Sequence, residues 1–342
     1  MQTRKALNVL ALAVIVGLIA AMGALTSPVS RAQGTPEATE SMGGMEMAGY
    51  GLITGGVDGE AKRLNASGAT FPLELYKKWI EEYYNLTGVE INYAGGGSGQ
   101  GKKDIAAEAV DFAGSDSIMK DEEISAATGG NILHIATTMG AIVPVYNIPE
   151  LQGKDPVKLT GENLANIYLG KITKWNDAAL VADNPDLANV DADILPVYRS
   201  DGSGTTNNFT IYLSSQSQEW ADTIKSGNTV QWPYGIGANG NPGVASEVGQ
   251  TEYSIGYVEL AFAKDLQAAQ VKNAAGAFVT ASAESVSAAA KGVELPDDMR
   301  IVIIGKSTDE AAWPISTFTW LLVYRQKVQQ ALSVFAMLRW SA

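Results

Sequence analysis

The sequence predicts an α/β fold, with sheet layers flanked by helices. Three observations carry that reading. Short runs such as Val89-Glu90-Ile91-Asn92-Tyr93 alternate apolar and polar residues as strands do. Other stretches space apolar residues as a helix does, Leu73, Leu75, Tyr76, Trp79, Ile80 and Tyr83 first among them. The two patterns take turns along the chain, and strand-to-helix junctions are repeatedly rich in glycine, which is the pattern of α/β layers. With 342 residues, 46% hydrophobic and 18% charged, the chain is long enough for two domains and too apolar for disorder.

Residues 1–32 read as a signal peptide. Arg4 and Lys5 precede an apolar run from Ala6 to Leu25, and Ser30-Arg31-Ala32 offers small residues for cleavage after Ala32. Export to a periplasmic or cell-surface location is expected. An uncleaved N-terminal membrane tether is the alternative, since the run is long enough to span a bilayer. Cysteine is absent, which excludes a lipobox anchor, disulfides, thiolate metal sites and a cysteine nucleophile. One histidine, His134, leaves metal and Ser–His chemistry little to work with. Losing Arg4, Lys5 and Arg31 takes the net charge from −13 to −16. Nucleic acid is a poor partner for such a chain, and a bound anion needs a local site that overcomes the global field. Residues 33–63, rich in Gly, Ser, Thr, Glu and Met, are expected to form a flexible tether. Met42, Met45 and Met47 there have no His or Cys beside them to complete a copper site.

The fold is expected to begin at residue 64. A short apolar strand ends at Gly68 and turns through Ala69-Thr70-Phe71-Pro72 into the first helix, with Thr70 as its N-cap and Pro72 in its first turn. The strand at 89–93 leads into Gly95-Gly96-Gly97-Ser98-Gly99-Gln100-Gly101-Lys102-Lys103 and a helix over 104–110. That turn fits most of a nucleotide P-loop, but Lys103 stands where Ser or Thr must reach magnesium. Another short strand, 110–117, carries Asp116 and precedes a helix near 120–127. The apolar run 132–147, with His134 and Pro144 inside it, reads as one or two buried strands. Thr160 caps a helix to Leu169, and Trp175 plugs the turn that follows. Beyond the stretch around Arg199 come a glycine-rich loop to Gly243, a helix at 244–249, a strand at 253–263, a helix at 281–291 and a last strand at 313–324.

One stretch organises the rest: Arg199-Ser200-Asp201-Gly202-Ser203-Gly204-Thr205-Thr206. It follows an apolar strand and opens a helix, so free backbone N–H groups and hydroxyls face one way. Arg199 adds a planar charged fork. This is chemistry for a compact oxyanion. The plain alternative is a capped helix with Arg199 in a surface ion pair. Comparable helix starts at Thr70-Phe71 and Ser98-Gly99 carry small donors, and Asp116 ends a strand. In open α/β sheets ligands collect where helix N-termini converge at the carboxyl ends of strands. Each such end offers about half a positive charge. With Arg199, three of them can hold a small dianion with no metal or other cofactor.

The order Gly68-Ala-Thr-Phe-Pro72, Gly97-Ser98-Gly99, Val110-Asp-Phe-Ala-Gly-Ser-Asp116, Arg199-x-Asp-Gly-Ser-Gly-Thr205, Ile255-Gly-Tyr-Val258 and Trp313-Pro-Ile-Ser316 closely resembles the periplasmic phosphate-binding proteins of phosphate ABC transporters. The likeness runs from 64 to 324. It implies a two-lobed periplasmic-binding-protein fold of type II, each lobe a mixed sheet flanked by helices, with the ligand in the cleft. Lobe 1 would comprise 64–143 and the return over 300–342, and lobe 2 would comprise 144–299. It implies a monomeric binding protein, not an enzyme, that closes on inorganic phosphate and delivers it to a membrane-embedded permease. Carried over by motif, the phosphate contacts are Thr70, Phe71, Ser98, Asp116, Arg199, Ser203, Gly204 and Thr205, with Asp201 orienting the arginine. Two departures stand out. Gly99-Gln100-Gly101 lies where relatives often have a second serine. The stretch from Lys327 starts a helix and stops where the family continues, so a truncated C-terminus is expected.

Rival readings remain at this stage. Arsenate, sulfate and molybdate are rival ligands, and Asp116 speaks against the fully ionised ones. An exported phosphoester hydrolase using Ser203 or Thr205 would need a partner histidine or a metal cluster that no motif supplies. The third is a relic of the fold that binds nothing.

Overall fold

The computed structural model describes residues 61–325; the expected signal peptide, nearly all of the tether and the stretch from Gln326 onward lie outside them. Among the described residues there are twelve strands: β1 (Arg63–Gly68), β2 (Glu90–Ala94), β3 (Phe112–Ser115), β4 (Ile132–Tyr146), β5 (Lys158–Leu159), β6 (Leu195–Arg199), β7 (Ile236–Ala238), β8 (Ser254–Glu259), β9 (Gln267–Ala268), β10 (Gln270–Lys272), β11 (Phe278–Val279) and β12 (Ser316–Tyr324). Nine of them form one mixed sheet in the order β2-β1-β3-β12-β4-β8-β6-β7, with β9 also beside β4. The other three form a small sheet, β11-β10-β5.

Strand β4 belongs to both halves of this architecture. It pairs antiparallel with β12 from Ile132 opposite Tyr324 to Ala141 opposite Ser316, with a register irregularity between Thr319 and Trp320. It then pairs antiparallel with β8, from Ile142 opposite Glu259 to Tyr146 opposite Ile255. The apolar run is therefore a single strand. Pro144 keeps its register opposite Tyr257, and its carbonyl accepts the Ala269 N–H at 2.9 Å.

The alternation of β12 explains the layering of the first half. Leu321 and Val323 face a core with Tyr76, Trp79 and Tyr83 of the helix Leu73–Thr87. Leu322 and Tyr324 face the opposite core, with Ile105 of the helix Ser98–Ala106. Side chains two apart share a face of a strand, so one strand serves both cores. The second half has a larger core that includes Val143, Tyr168, Trp175, Phe209, Tyr257 and Trp313. The two halves, joined by the sheet that runs through both, make the two-lobed type II arrangement expected of the sequence.

Three elements differ most from expectation. The second helix starts at Ser98 and ends at Ala106, not at 104–110. Glycine's poor helix propensity hides its first turn, but the fold requires small residues there, because a Cβ on Gly101 would lie 2.7 Å from the Gly68 Cα. The helix Gly240–Gln250 likewise begins inside the glycine-rich loop. The strand expected over 253–263 ends at Glu259, where a 3₁₀ turn, Leu260–Phe262, is capped by the Glu259 carboxylate.

His134 is packed, not exposed. Its Nε2 accepts the Met119 N–H at 3.0 Å, and its ring lies edge-on to Trp320. Burial, aided by the nearby Arg300, pushes its pKa down to about 4. A histidine held neutral by the fold contributes stability that is whole above its unfolded pKa of about 6.5 and lost as the pH falls toward its folded value. The shift corresponds to on the order of 3 kcal/mol. Urea unfolding should therefore show stability declining from pH 6.5 to pH 4, with the decline flattened in His134→Gln, which keeps an acceptor for Met119. Superimposable pH profiles for the two proteins would rule this out.

Candidate anion site

The site is built first from β6 and the turn after it. Aromatic rings form its floor. Phe209 stacks on Tyr257 with centroids 4.3 Å apart, and Trp232 stacks on Tyr198 at 5.2 Å. The Tyr257 hydroxyl rises from this floor to accept the Arg199 N–H at 3.2 Å and to share a hydrogen bond with Thr206 Oγ1 at 2.7 Å. Ser203 then caps the helix Gly204–Gln216, its hydroxyl accepting the Thr206 N–H at 3.0 Å. That leaves the Gly204 and Thr205 amides at a helix start, where no intrahelical acceptor exists.

Arg199 is oriented by Asp201, as the resemblance implied. Nε donates to Oδ1 at 2.7 Å and Nη2 to Oδ2 at 2.5 Å, a bidentate pair with side chains 1% and 9% exposed. Nη1 donates to Thr205 Oγ1 at 3.3 Å. Burial works to raise the Asp201 pKa, but the bonds and charge of Arg199 and the Gly240 N–H outweigh it and hold the carboxyl below its usual range. A guanidinium has five N–H donors, so this arrangement leaves hydrogens on Nη1 and Nη2 for a ligand.

The first half supplies the facing wall. Thr70 and Phe71 lie in the turn before the helix Leu73–Thr87. Thr70 is not the N-cap. Pro72 holds that position, and Thr70 Oγ1 instead accepts two hydrogen bonds from Asn241, from its N–H at 3.1 Å and its Nδ2 at 3.0 Å. Ser98 opens its helix and accepts the Asp116 N–H at 3.0 Å while donating to Asp116 Oδ2 at 3.2 Å. Thr319 donates to Asp116 Oδ1 at 2.8 Å. Asp116 is not an N-cap for the next helix; Lys120 holds that position. Asp116 is 1% exposed, and burial pushes its pKa up to about 7 against the pull of Thr319, Arg199 and Ser98.

The two walls touch. Gly99 N–H donates to the Gly202 carbonyl at 2.7 Å, and Asn208 Nδ2 donates to the Asp116 carbonyl at 2.5 Å. A Cβ on Gly204 would come within 2.4 Å of Ser98 Oγ and 2.8 Å of the Asp116 carboxylate. Thr70, Ser98, Asp116, Arg199, Ser203, Gly204 and Thr205 are thus brought to one buried place. Phe71 is also there, its ring buried and facing Gly140. Its side chain packs in the core, so its only free polar contribution is backbone. Among the described residues no group of His, Cys, Asp and Glu could hold a metal ion.

Three contributors escaped the sequence reading. Asn241, fully buried at the start of the helix Gly240–Gln250, lay in a loop noted only for its glycines. Thr319 is one of several hydroxyl residues in a core strand. Glu259 is partly buried, and its carboxyl is pushed up to about 8 by burial and by the charge of Asp116 against the Ala261 N–H.

Comparison with known proteins decides the family. A profile for the PBP superfamily domain matches residues 31–338. The phosphate-binding protein PstS of Haemophilus influenzae is 42% identical over 288 residues, which is 82% of this chain and 85% of that one. PstS of Xylella fastidiosa is 44% identical over 269 residues, 77% and 72% of the two chains. The chain belongs to the PstS family of phosphate-binding proteins. Solved structures agree on the fold. The phosphate-binding protein of Stenotrophomonas maltophilia superposes with a TM-score of 0.62 at 23% identity, over 81% of this chain and 83% of that one. A periplasmic phosphate-binding protein, PfluDING, solved with phosphate bound, gives 0.64 at 23% identity, over 80% and 84%. The relatives are named as binding proteins rather than enzymes. Among the described residues no helix is long and apolar enough to cross a membrane.

Proposed function

We propose that this protein binds inorganic phosphate outside the cytoplasmic membrane and delivers it to the permease of a phosphate ABC transporter. The observation that carries the reading is the company Asp116 keeps. The Arg199 guanidinium, the amides of Ser98, Gly204 and Thr205 at two helix starts, and the hydroxyls of Thr70 and Thr205 lie around one buried carboxyl group. Donors in this number suit a doubly charged tetrahedral anion, and a lone acceptor suits its one remaining proton. The proposed contacts are those expected from the motifs: Thr70, Phe71, Ser98, Asp116, Arg199, Ser203, Gly204 and Thr205, with Asp201 aligning the guanidinium. The lobes are proposed to hinge where β4 and β12 pass between them, with closure as described for two-lobed binding proteins generally.

Phosphate keeps at least one proton at neutral pH, whereas sulfate keeps none. Against sulfate, Asp116 faces a lone pair and a like charge. An unpaired buried polar group costs about 1–3 kcal/mol, and more when charged. Calorimetric titration of the chain from Gln33 onward with phosphate and with sulfate tests the reading. The expected result is one-to-one binding of phosphate with sulfate silent, and Asp116→Ala is expected to narrow the phosphate-to-sulfate preference at least about tenfold. An unchanged preference in that variant would refute the role of Asp116. A folded protein that ignores both anions would refute the function.

A further inference from the structure

We propose that Asn241 is a positioning residue of the anion site, one that joins the lobes and compels the Thr70 and Thr205 hydroxyls to act as hydrogen-bond donors toward the ligand. This rests on the phosphate reading and deepens it.

The argument starts from the orientation of one amide. Glu259 N–H donates to Asn241 Oδ1 at 3.0 Å, so the oxygen end of the side chain is fixed toward β8. Nδ2 must then point the other way. It has two hydrogens and two neighbours, Thr70 Oγ1 at 3.0 Å and Thr205 Oγ1 at 3.4 Å. Thr70 belongs to the first lobe, Thr205 and Asn241 to the second.

A hydroxyl has two acceptor positions and one proton. Thr70 Oγ1 receives Nδ2 and also the Asn241 backbone N–H at 3.1 Å, which fills both acceptor positions. Thr205 Oγ1 receives Nδ2 and the Arg199 Nη1 at 3.3 Å, which fills both of its own. Neither hydroxyl can accept further, so each proton is directed into the remaining quadrant. The Asn241 side chain is fully buried, and both of its N–H groups and one lone pair of its oxygen are used within the protein. It therefore has no donor left for an anion. Its effect passes through the two threonines, whose oxygens become one-way donors to unprotonated ligand oxygens.

A packing role and a polarising role predict opposite orders of damage. Aspartate has nearly the shape of asparagine, so packing alone makes Asn241→Asp milder than Asn241→Ala. Polarisation makes it worse, because a carboxylate oxygen in place of Nδ2 attracts both hydroxyl protons away from the ligand and adds a negative charge. Phosphate titration by calorimetry, with thermal unfolding of each protein, separates the two. Asn241→Ala is expected to weaken phosphate binding about 10–30-fold, from two misdirected hydroxyls, and Asn241→Asp by more than about 100-fold. In a Thr70→Val background the Asn241→Ala loss should shrink to about three- to fivefold, since one of its two targets is already gone. An Asp variant that binds better than the Ala variant, or losses that simply add in the double variant, overturns the proposal. Asn241→Ser serves if either variant fails to fold. It offers Glu259 an acceptor but cannot span both threonines, and wild-type affinity in it overturns the proposal as well. A wild-type protein that binds no phosphate overturns the phosphate reading and this proposal with it. A wild-type protein that binds while the Asn241 variants match it overturns this proposal alone.

Discussion

Arg199→Ala is expected to weaken phosphate binding by at least about 100-fold, roughly 2.7 kcal/mol, and to destabilise the fold as well. The two effects have separate causes. The binding loss follows from removing a cation whose spare N–H groups face the site, and charge-assisted hydrogen bonds are about twice as strong as neutral ones. The stability loss follows from Asp201. Its side chain is 9% exposed and its carboxylate is matched to the guanidinium oxygen by oxygen. Removing one member of a buried pair costs about 3–5 kcal/mol, because the other is left charged and unpaired. Arg199→Ala/Asp201→Ala should therefore regain much of the stability without regaining binding. Arg199→Lys should bind poorly too, since an ammonium cannot serve Asp201, Thr205 and an anion together. Denaturant unfolding and phosphate calorimetry on the three variants check this, and phosphate affinity within tenfold of wild type in Arg199→Ala would contradict it.

Gly68→Ala should lower stability by more than about 4 kcal/mol, at the exceptional end for a single substitution. At Gly68 φ is +133°, and an added Cβ would lie 2.1 Å from the Gly114 carbonyl oxygen, 2.8 Å from its nitrogen and 2.9 Å from its carbonyl carbon. All of these are backbone atoms of β3, paired in parallel with β1 at this point. None can swing aside. The Gly114 carbonyl also accepts the Ala69 N–H at 2.9 Å, so displacing it loosens the turn that carries Thr70. Gly88 supplies the control. Its φ is +71°, but nothing lies within 4 Å of its would-be Cβ, so Gly88→Ala should cost only the backbone strain, about 1–2 kcal/mol. Equal losses in the two variants, measured by urea unfolding, would show that the close approach at Gly68 does not matter.

What could be read in the sequence was local. The turns at Thr70, Ser98 and Ser203 announce themselves because glycine, small hydroxyl residues and a following helix lie within a few positions of each other. The pairing of Arg199 with Asp201 was implied by the family resemblance, and the residues alone left Arg199 open to a surface ion pair. Asn241 was not legible, because its meaning depends on Thr70, Thr205 and Glu259, which come together only in the fold. The same holds for Thr319, whose partner Asp116 lies 203 residues away in sequence. The first turns of the helices Ser98–Ala106 and Gly240–Gln250 were left out of the expected ranges because glycine propensity argues against them and tertiary packing overrides it. The strand order, with β12 inserted between β3 and β4, had no local signature at all.

The shared strand sets a limit on how separately the lobes can behave. The fifteen residues of β4 run beside β12 and then β8, broken only at the irregularity around Thr137. Fraying either lobe would break ladder bonds that anchor the other, so the chain should melt as one unit. In hydrogen–deuterium exchange the amides of β4 on both sides of Gly140 should be among the slowest and should share one rate. The hinge, on this view, is a ribbon that twists rather than a joint that opens, and its stiffness is set by the same bonds that hold the molecule together.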